Sequence, residues 1–492
     1  MRLHVLSAVL AGLGLRVAFI LKFPVSDAGD SPFYMELAWN WLKHGVYGLT
    51  VNGAVVPVDM RVPGYPAFLA AIFAVAGRSQ RAAMFAQAAL EMLTCCVVAL
   101  IAARLAPQYA RRRTAIAGLW LAALCPFTAN YTAAVLAETL AIFITAAAIL
   151  LLFQTELGAG NSEASAGPLR QALIPWFLVG IVVGLGTLVR PETPLLLAAA
   201  GFVLLAIWWR PANWGRLIRA TALMLCGLLL PLAPWAARNW GTLHELQPLA
   251  PRYGQLPGEL APRGFDAWEH TWLWRFRDVF AVSWKLDGAR IEMADIPPSA
   301  FDSPAQHDRV ANLLASYNQT VTLTPNEDHE FAQIARERTA LHPVRTWLKI
   351  PLLRSLALWF APRVELLPYT GQLFPIGREW DEDREDFCVT ALLVLVNAAY
   401  CGLALAGAWK AWKISPVRLM ITFLVAFIAL RTAFIAWFAE TPEPRYVLEC
   451  FPALIALAAF AFAPLVKPLP RARDESSGDR FAETVSSRDL PA

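Results

Sequence analysis

Two carboxylates, Asp30 and Glu138, and four arginines, Arg61, Arg190, Arg238 and Arg445, stand at the ends of apolar stretches in a chain built mostly to dissolve in lipid. Charge at such places is costly, which makes a functional role the first reading of an acid or base there. Arginine forks grip phosphate oxygens two at a time, and a fixed carboxylate takes the proton of an attacking hydroxyl. Together they suit the holding of a lipid phosphate and the positioning or deprotonation of an acceptor hydroxyl. Asp27 is a second candidate base in the segment that carries Asp30, and Asp59 reads as a solvated loop charge. Asp30 and Glu138 can also share a divalent cation, Mg or Mn, although the sequence requires no cofactor. Each residue also has a plainer reading. Asp30 is placed to cap a helix, Glu138 to begin one, and a single arginine to snorkel toward headgroups.

The elements that must position these side chains are helices. Asp30-Ser31-Pro32 reads as an N-cap with proline in the first turn, and Gly45 closes the helix. Within it Tyr34, Leu37, Ala38, Trp41 and Leu42 recur at helical spacing, and Trp39 and Trp41 suit a helix lying on a membrane surface. A bilayer core takes about 20 apolar residues per helix, which places spans near 3–23, 83–104, 114–131, 139–154, 172–189, 193–209, 217–236, 387–409, 417–438 and 446–466. The runs 67–77 and 347–360 are too short and are read as interfacial. Arg16 interrupts the first span and no small-residue cleavage site follows it, so that span is not read as a cleaved signal peptide.

With 57% hydrophobic and 16% charged residues, 19 Trp in 492 residues and a net charge of +4, the chain is an all-α polytopic membrane protein and a poor partner for nucleic acid. Arg111, Arg112 and Arg113, then Arg210, Arg216 and Arg219, then Lys410, Lys413 and Arg418 fall in alternate loops. The positive-inside rule assigns those loops and both termini to the cytoplasm. Asp30, Arg61, Glu138 and the turn Glu443-Pro444-Arg445-Tyr446 then meet on the outer side. The seven cysteines lie in or beside apolar runs, and no disulfide framework is expected. Arg16 and Arg431 must face the bundle interior, either of them opposite Glu91.

The polar stretch 238–345 supplies helices more than chemistry. Ser303-Pro304-Ala305-Gln306 and Thr324-Pro325-Asn326-Glu327 read as capping boxes. Val310, Leu313 and Leu314 mark one apolar face; Phe331, Ile334 and Ala335 mark another. His307 and His329 lack partners at metal spacing and are read as surface residues. Trp268, Trp272, Trp274 and Phe276 are read as membrane-facing or packed aromatics, with sugar stacking the alternative. Asn318-Gln319-Thr320 is a glycosylation sequon too common to decide anything. The segment 156–167 reads as a flexible loop and 467–492 as a disordered cytoplasmic tail.

The ordered set Asp30-Ser31-x-x-Tyr34-x-x-x-Ala38, Arg61-x-Pro63-Gly64-Tyr65-Pro66, Ala137-Glu138-Thr139-Leu140, Arg190-Pro191-Glu192, Pro234-Trp235-x-x-Arg238-Asn239 and Pro444-Arg445-Tyr446 resembles the GT-C glycosyltransferases. More narrowly it is similar to the bacterial branch near the protein O-mannosyltransferases and the aminoarabinose transferases of lipid A. The resemblance spans most of the chain and is strongest from residue 1 to 240. It implies a GT-C fold with about 10–12 transmembrane helices, interfacial juxtamembrane helices and a small helical extracytoplasmic domain. The division it implies is a transmembrane module over 1–237 with its catalytic first outer loop at 24–82, an extracytoplasmic domain over 238–386 with an interfacial helix near 347–361, and C-terminal helices over 387–466.

The activity implied is sugar transfer from a polyprenyl phosphate or diphosphate to an acceptor hydroxyl, on the outer side of a bacterial inner membrane. Asp30 takes the place of the family's essential acid, with Asp27 a weaker alternative, and Glu138 that of its second acid. Arg61, Arg190, Arg238 and Arg445 with Tyr65 and Tyr446 are the implied carrier-phosphate contacts, and Tyr34 a further substrate contact. The acceptor, whether lipid, glycan or protein, is left open. A transporter or lipid flippase is the rival reading for a protein with buried charges, but no repeated halves or paired broken helices mark one.

Overall fold

The chain is described here from a computed structural model, which describes residues 2–25, 29–158, 169–251, 253 and 259–464. Asp27, the 467–492 tail and most of the 156–167 loop lie outside the described residues.

The described chain is helical apart from one hairpin. It runs α1 (Arg2–Lys22), α2 (Ser31–His44), β1 (Gly48–Val51), β2 (Ala54–Pro57), α3 (Gly64–Ala76), α4 (Gln80–Leu105), α5 (Arg111–Ala123), α6 (Pro126–Ala129), α7 (Glu138–Leu152), α8 (Leu169–Thr187), α9 (Leu195–Ile207) and α10 (Trp214–Leu243). There follow α11 (Arg263–Glu269), α12 (Phe276–Ala281), α13 (Pro304–Thr320), α14 (Pro325–Leu341), α15 (Ile350–Phe360), α16 (Ile376–Glu382), α17 (Arg384–Ile414), α18 (Arg418–Phe438) and α19 (Phe451–Phe460).

Among the described residues five helical segments are long and apolar enough to cross a bilayer: Arg2–Lys22, Gln80–Leu105, Pro211–Leu243, Arg384–Ile414 and Arg418–Phe438. Their outward faces carry bare leucines such as Leu3, Leu10, Leu229 and Leu405, an arrangement stable only in lipid. The protein is an integral membrane protein. The shorter apolar helices α7, α9 and residues 173–187 of α8 pack among the long ones.

Two expected spans are not single helices. The stretch 114–131 breaks after Ala123, because Cys125 precedes Pro126 and takes an extended conformation. The chain then turns through α6 and a 3-10 turn at Asn130–Ala133. The stretch 446–466 likewise opens with a 3-10 segment, Pro444–Cys450, before α19. Both irregular pieces deliver side chains to the cavity described below.

The two arginines expected to face the bundle interior, Arg16 and Arg431, are paired. Arg16 meets Glu91, whose other oxygen accepts from the Thr128 hydroxyl at 2.8 Å, tying α1 to α4 and α6. Arg431 meets Glu449 instead of Glu91.

The hairpin was not expected from the sequence. Asn52 and Gly53 both have positive φ, 51° and 82°, as a two-residue turn between right-twisted strands requires. Gly48 pairs with Pro57 and Val51 with Ala54. The hairpin docks on α2, where Asn40 donates to the Gly48 carbonyl at 3.0 Å and Glu36 accepts from the Thr50 amide at 2.7 Å.

Residues 265–335 enclose a hydrophobic core of their own, built on Phe265, Trp268, Trp272, Phe331 and Ile334. We call this unit the cap. The capping box at Thr324 and Glu327 forms with both hydrogen bonds present. At Ser303 half of it forms: the hydroxyl accepts from the Gln306 amide, while the Gln306 side chain turns to the Asp302 amide. Trp268 and Trp272 are fully packed and unavailable to a ligand, and the Asn318 side chain is spent on both backbone groups of Ile291.

Candidate active site

Asp30 sits at the mouth of α2, but its side chain makes no capping bond. It accepts instead from Arg61 at 2.7 Å. Burial pushes the Asp30 carboxyl up; Arg61 beside it, with Arg445 and Arg190 farther off, outweighs that and holds it below the usual carboxylate value. Asp30 is therefore ionised at neutral pH. Next to it, burial and then the Asp30 charge push the Tyr34 phenol up, so Tyr34 stays protonated, a donor beside the carboxylate. The Tyr34 ring meets the edge of Tyr65 at 5.0 Å, and the Tyr65 hydroxyl donates to Gln87 at 2.7 Å.

Arg61 owes its place to the segment that follows the hairpin. The Tyr47 hydroxyl donates to the Arg61 carbonyl at 2.8 Å, and Arg238 on α10 donates to the carbonyls of Tyr47 at 2.6 Å and Val58 at 2.9 Å. The Arg238 guanidinium also lies over the rings of Tyr47 and Trp235. So placed, Arg238 is a staple between α10 and the first loop, and it stands outside the acidic cluster that gathers the other arginines. Asp59, half-buried nearby, is pushed up by burial and is not a fully solvated charge.

Across from Asp30 lies a balanced charge cluster. Glu138, 1% exposed at the start of α7, pairs with Arg190 and lies 3.7 Å from Arg445. Its Oε2 is buried and has no hydrogen-bond partner. Arg190 also approaches Glu449 at 3.5 Å, and Glu449 pairs with Arg431. Arg445 donates to Glu443 at 2.5 Å, and Glu443 in turn accepts from the Tyr446 hydroxyl at 2.9 Å. The Tyr446 ring lies between two guanidinium groups, Arg190 at 5.6 Å and Arg445 at 5.4 Å. Asp30, Glu138, Glu443 and Glu449 thus face Arg61, Arg190, Arg431 and Arg445.

The structure brings together Asp30, Arg61, Glu138, Arg190, Arg445, Tyr34, Tyr65 and Tyr446, and leaves Arg238 apart. Asp30 and Glu138 each face guanidinium groups, and among the described residues no group of three His, Cys, Asp or Glu is arranged to hold a metal. Sequence reading missed Glu449, Glu365 and Trp284. Glu449 had a signal, three residues beyond Tyr446 in a helical segment and within reach of the intramembrane Arg431; Glu365 and Trp284 had none.

Among the described residues, two hollows open on this cluster and an apolar groove lies near it. One of about 700 Å3 is lined by Asp30, Tyr131, Glu365, Glu443, Arg445 and Trp284 among others. A second, about 1040 Å3, is lined by Arg61, Glu443, Tyr446 and the underside of the cap. The third, about 610 Å3, is an apolar groove between Trp41, Tyr47, Leu140, Ile144, Leu188 and Trp235, with Arg238 on its rim.

No protein-family model and no curated protein matches the chain. Among solved structures it is similar to the Archaeoglobus fulgidus oligosaccharyltransferase in complex with Zn and sulfate, at 14% identity and a TM-score of 0.47 over 93% of this chain and 48% of that one. The oligosaccharyltransferase AglB of the same organism, in complex with an inhibitory peptide and a dolichol-phosphate, gives 14% identity and a TM-score of 0.46 over 93% and 50%. ArnT from Cupriavidus metallidurans gives 12% identity and a TM-score of 0.33 over 87% and 72%. The chain spans about half the length of the two archaeal structures. These likenesses assign no residue a role.

Proposed function

We propose that this protein is a membrane glycosyltransferase of the GT-C kind, moving a sugar from a polyprenyl phosphate or diphosphate carrier to an acceptor hydroxyl. The observation that carries the proposal is the ion pair Asp30–Arg61, at 2.7 Å, set between two cavities beside the Glu138–Arg190–Arg445 cluster, with an apolar groove lined by the nearby Pro63, Leu140 and Val189.

The groove takes the first isoprene units of the carrier, because Tyr47, which lines it, also holds the Arg61 backbone. A phosphate drawn to Arg61 and Arg445 competes with Asp30 for the guanidinium. Once freed from Arg61, Asp30 becomes more basic when donor is bound. It then takes the acceptor proton as the acceptor oxygen bonds to the anomeric carbon. The bond from that carbon to phosphate oxygen breaks, and the phosphate leaves with the electron pair, its charge met by the arginines. No strong general acid is needed, since phosphate departs as a stable anion. A single displacement inverts the anomeric centre. Glu138, with one oxygen unpartnered, orients the acceptor or steadies Arg190 and Arg445. In this reading both termini lie in the cytoplasm, with the site on the outer side of a bacterial inner membrane; the alternate basic loops support that orientation.

The test is transfer of radiolabelled sugar from a panel of polyprenyl-phosphate donors to a membrane extract, by the purified protein and by Asp30→Asn. Transfer abolished by the variant supports the proposal; absence of transfer from every donor by correctly folded protein refutes it.

A further inference from the structure

The hollow that holds Asp30 and Arg445 has a wall with no part in phosphate chemistry. That wall is the turn after α12, which contributes Ser283, Trp284 and Leu286. The same three residues and Glu443 also line the larger hollow, so the two spaces meet at Trp284. The Asp30–Arg61 pair divides them, Asp30 lining one and Arg61 the other.

Trp284 keeps 49% of its surface accessible, while Phe276 behind it is buried. Phe280 meets it edge-on at 4.3 Å and Phe276 at 5.8 Å. The preceding Ser283 hydroxyl donates to the buried Glu269 at 2.7 Å. An indole backed by Phe276 and opening onto a cavity offers apolar area that suits the C–H face of a sugar ring.

On the same hollow, Glu365 is held from the other side of the chain. Its Oε1 accepts from the Tyr131 hydroxyl at 2.8 Å, and its loop is anchored by Arg363, which donates to the carbonyls of Pro444 at 2.7 Å and Leu358 at 2.9 Å. The Glu365 Oε2 is buried without a partner, an arrangement that costs stability unless a ligand satisfies it. Burial pushes this carboxyl up against the pull of Arg363.

We propose that Trp284 and Glu365 hold a sugar ring of the acceptor beside Asp30, so that the acceptor of this protein is a saccharide. The assignment rests on the transferase reading, in which Asp30 must reach the acceptor hydroxyl and the carrier approaches from the Tyr47 and Arg61 side. Trp284 is the stacking platform and Glu365 the polar clamp.

The test is binding of the full-length protein, in lipid nanodiscs, to immobilised mono- to hexasaccharides of glucose, galactose, mannose, N-acetylglucosamine and glucuronic acid, beside a panel of serine- and threonine-bearing peptides. Wild type retains a saccharide; Trp284→Ala and Glu365→Gln each weaken that binding about tenfold, and Trp284→Phe restores part of it. In a transfer assay the same two variants raise the acceptor KM and leave the donor KM unchanged. Asp30→Asn binds the saccharide and does not transfer. Retention of peptides alone, or saccharide binding unchanged in both variants, overturns the proposal. Saccharide binding lost as expected in the variants, with no transfer by wild type from any donor, instead removes the transferase reading and leaves a saccharide site.

Discussion

Asp30→Asn removes one charge and keeps the side-chain volume, so its effects on folding and on chemistry separate cleanly. The Asp30 and Arg61 side chains are both 29% exposed, and a partly buried pair that still reaches solvent contributes about 1 kcal/mol to stability. No helix cap is lost, because the Asp30 side chain makes no capping bond. Folding therefore weakens by about 1 kcal/mol or less. As the base, Asp30 accounts for about 10²–10⁴ in rate, or about 3–5 kcal/mol of barrier. The assay is the initial rate of sugar transfer at saturating donor, alongside thermal unfolding in the same detergent. The pH profile gives an independent check. The carboxylate form is the active one and Arg61 depresses its titration, so kcat/KM in the wild type falls only below pH ~4, the usual aspartate value. Arg61→Gln removes the largest opposing charge and moves that acid limb upward. A variant Asp30→Asn keeping more than about a tenth of wild-type turnover contradicts the expected general-base contribution. An acid limb unmoved by Arg61→Gln refutes it equally.

Arg431 and Glu449 are each 1% exposed, so Arg431→Met leaves the buried Glu449 with only Arg190, at 3.5 Å, and destabilises the protein by about 3 kcal/mol, while the double variant Arg431→Met with Glu449→Gln recovers much of that loss in thermal unfolding. A Cβ on Gly64 would stand 2.5 Å from the Leu188 carbonyl oxygen and 2.8 Å from its carbon, so Gly64→Ala must push the strip bearing Arg61 away from α8; a loss of about 1–3 kcal/mol and reduced transfer are expected. Burial pushes the Glu269 carboxyl, in the cap, up to about 8 despite the Ser283 hydrogen bond. The folded cap then keeps a proton that the unfolded chain releases above the ordinary value of 4.5. Cap stability is therefore greatest below that value, declines as pH rises toward about 8 and is level beyond it. Glu269→Gln should flatten this dependence in unfolding scans; an unchanged slope refutes the assignment.

Hydropathy and local spacing carried the helical, membrane-embedded class of this protein, because a bilayer demands long apolar runs and helix ends demand recognisable caps. Thr324 with Glu327 and the closure of α2 at Gly45 were legible for that reason. Asn52-Gly53 was an equally local hairpin signal that went unread. Charges at helix ends marked which residues to consider, since lipid tolerates so few of them. Partnership was another matter. Nothing near Arg238 says that it fastens α10 to the Tyr47 and Val58 carbonyls, and the spacing that marks Glu449 does not decide between it and Glu91 as the partner of Arg431. Nor does the local sequence show that the break at Cys125–Pro126 leads the chain to Tyr131 and Glu365, or that a cap turn sets Trp284 above Asp30. Those facts depend on which helix ends the packed bundle brings to one place, and periods of 3.6 or 20 residues carry no record of it.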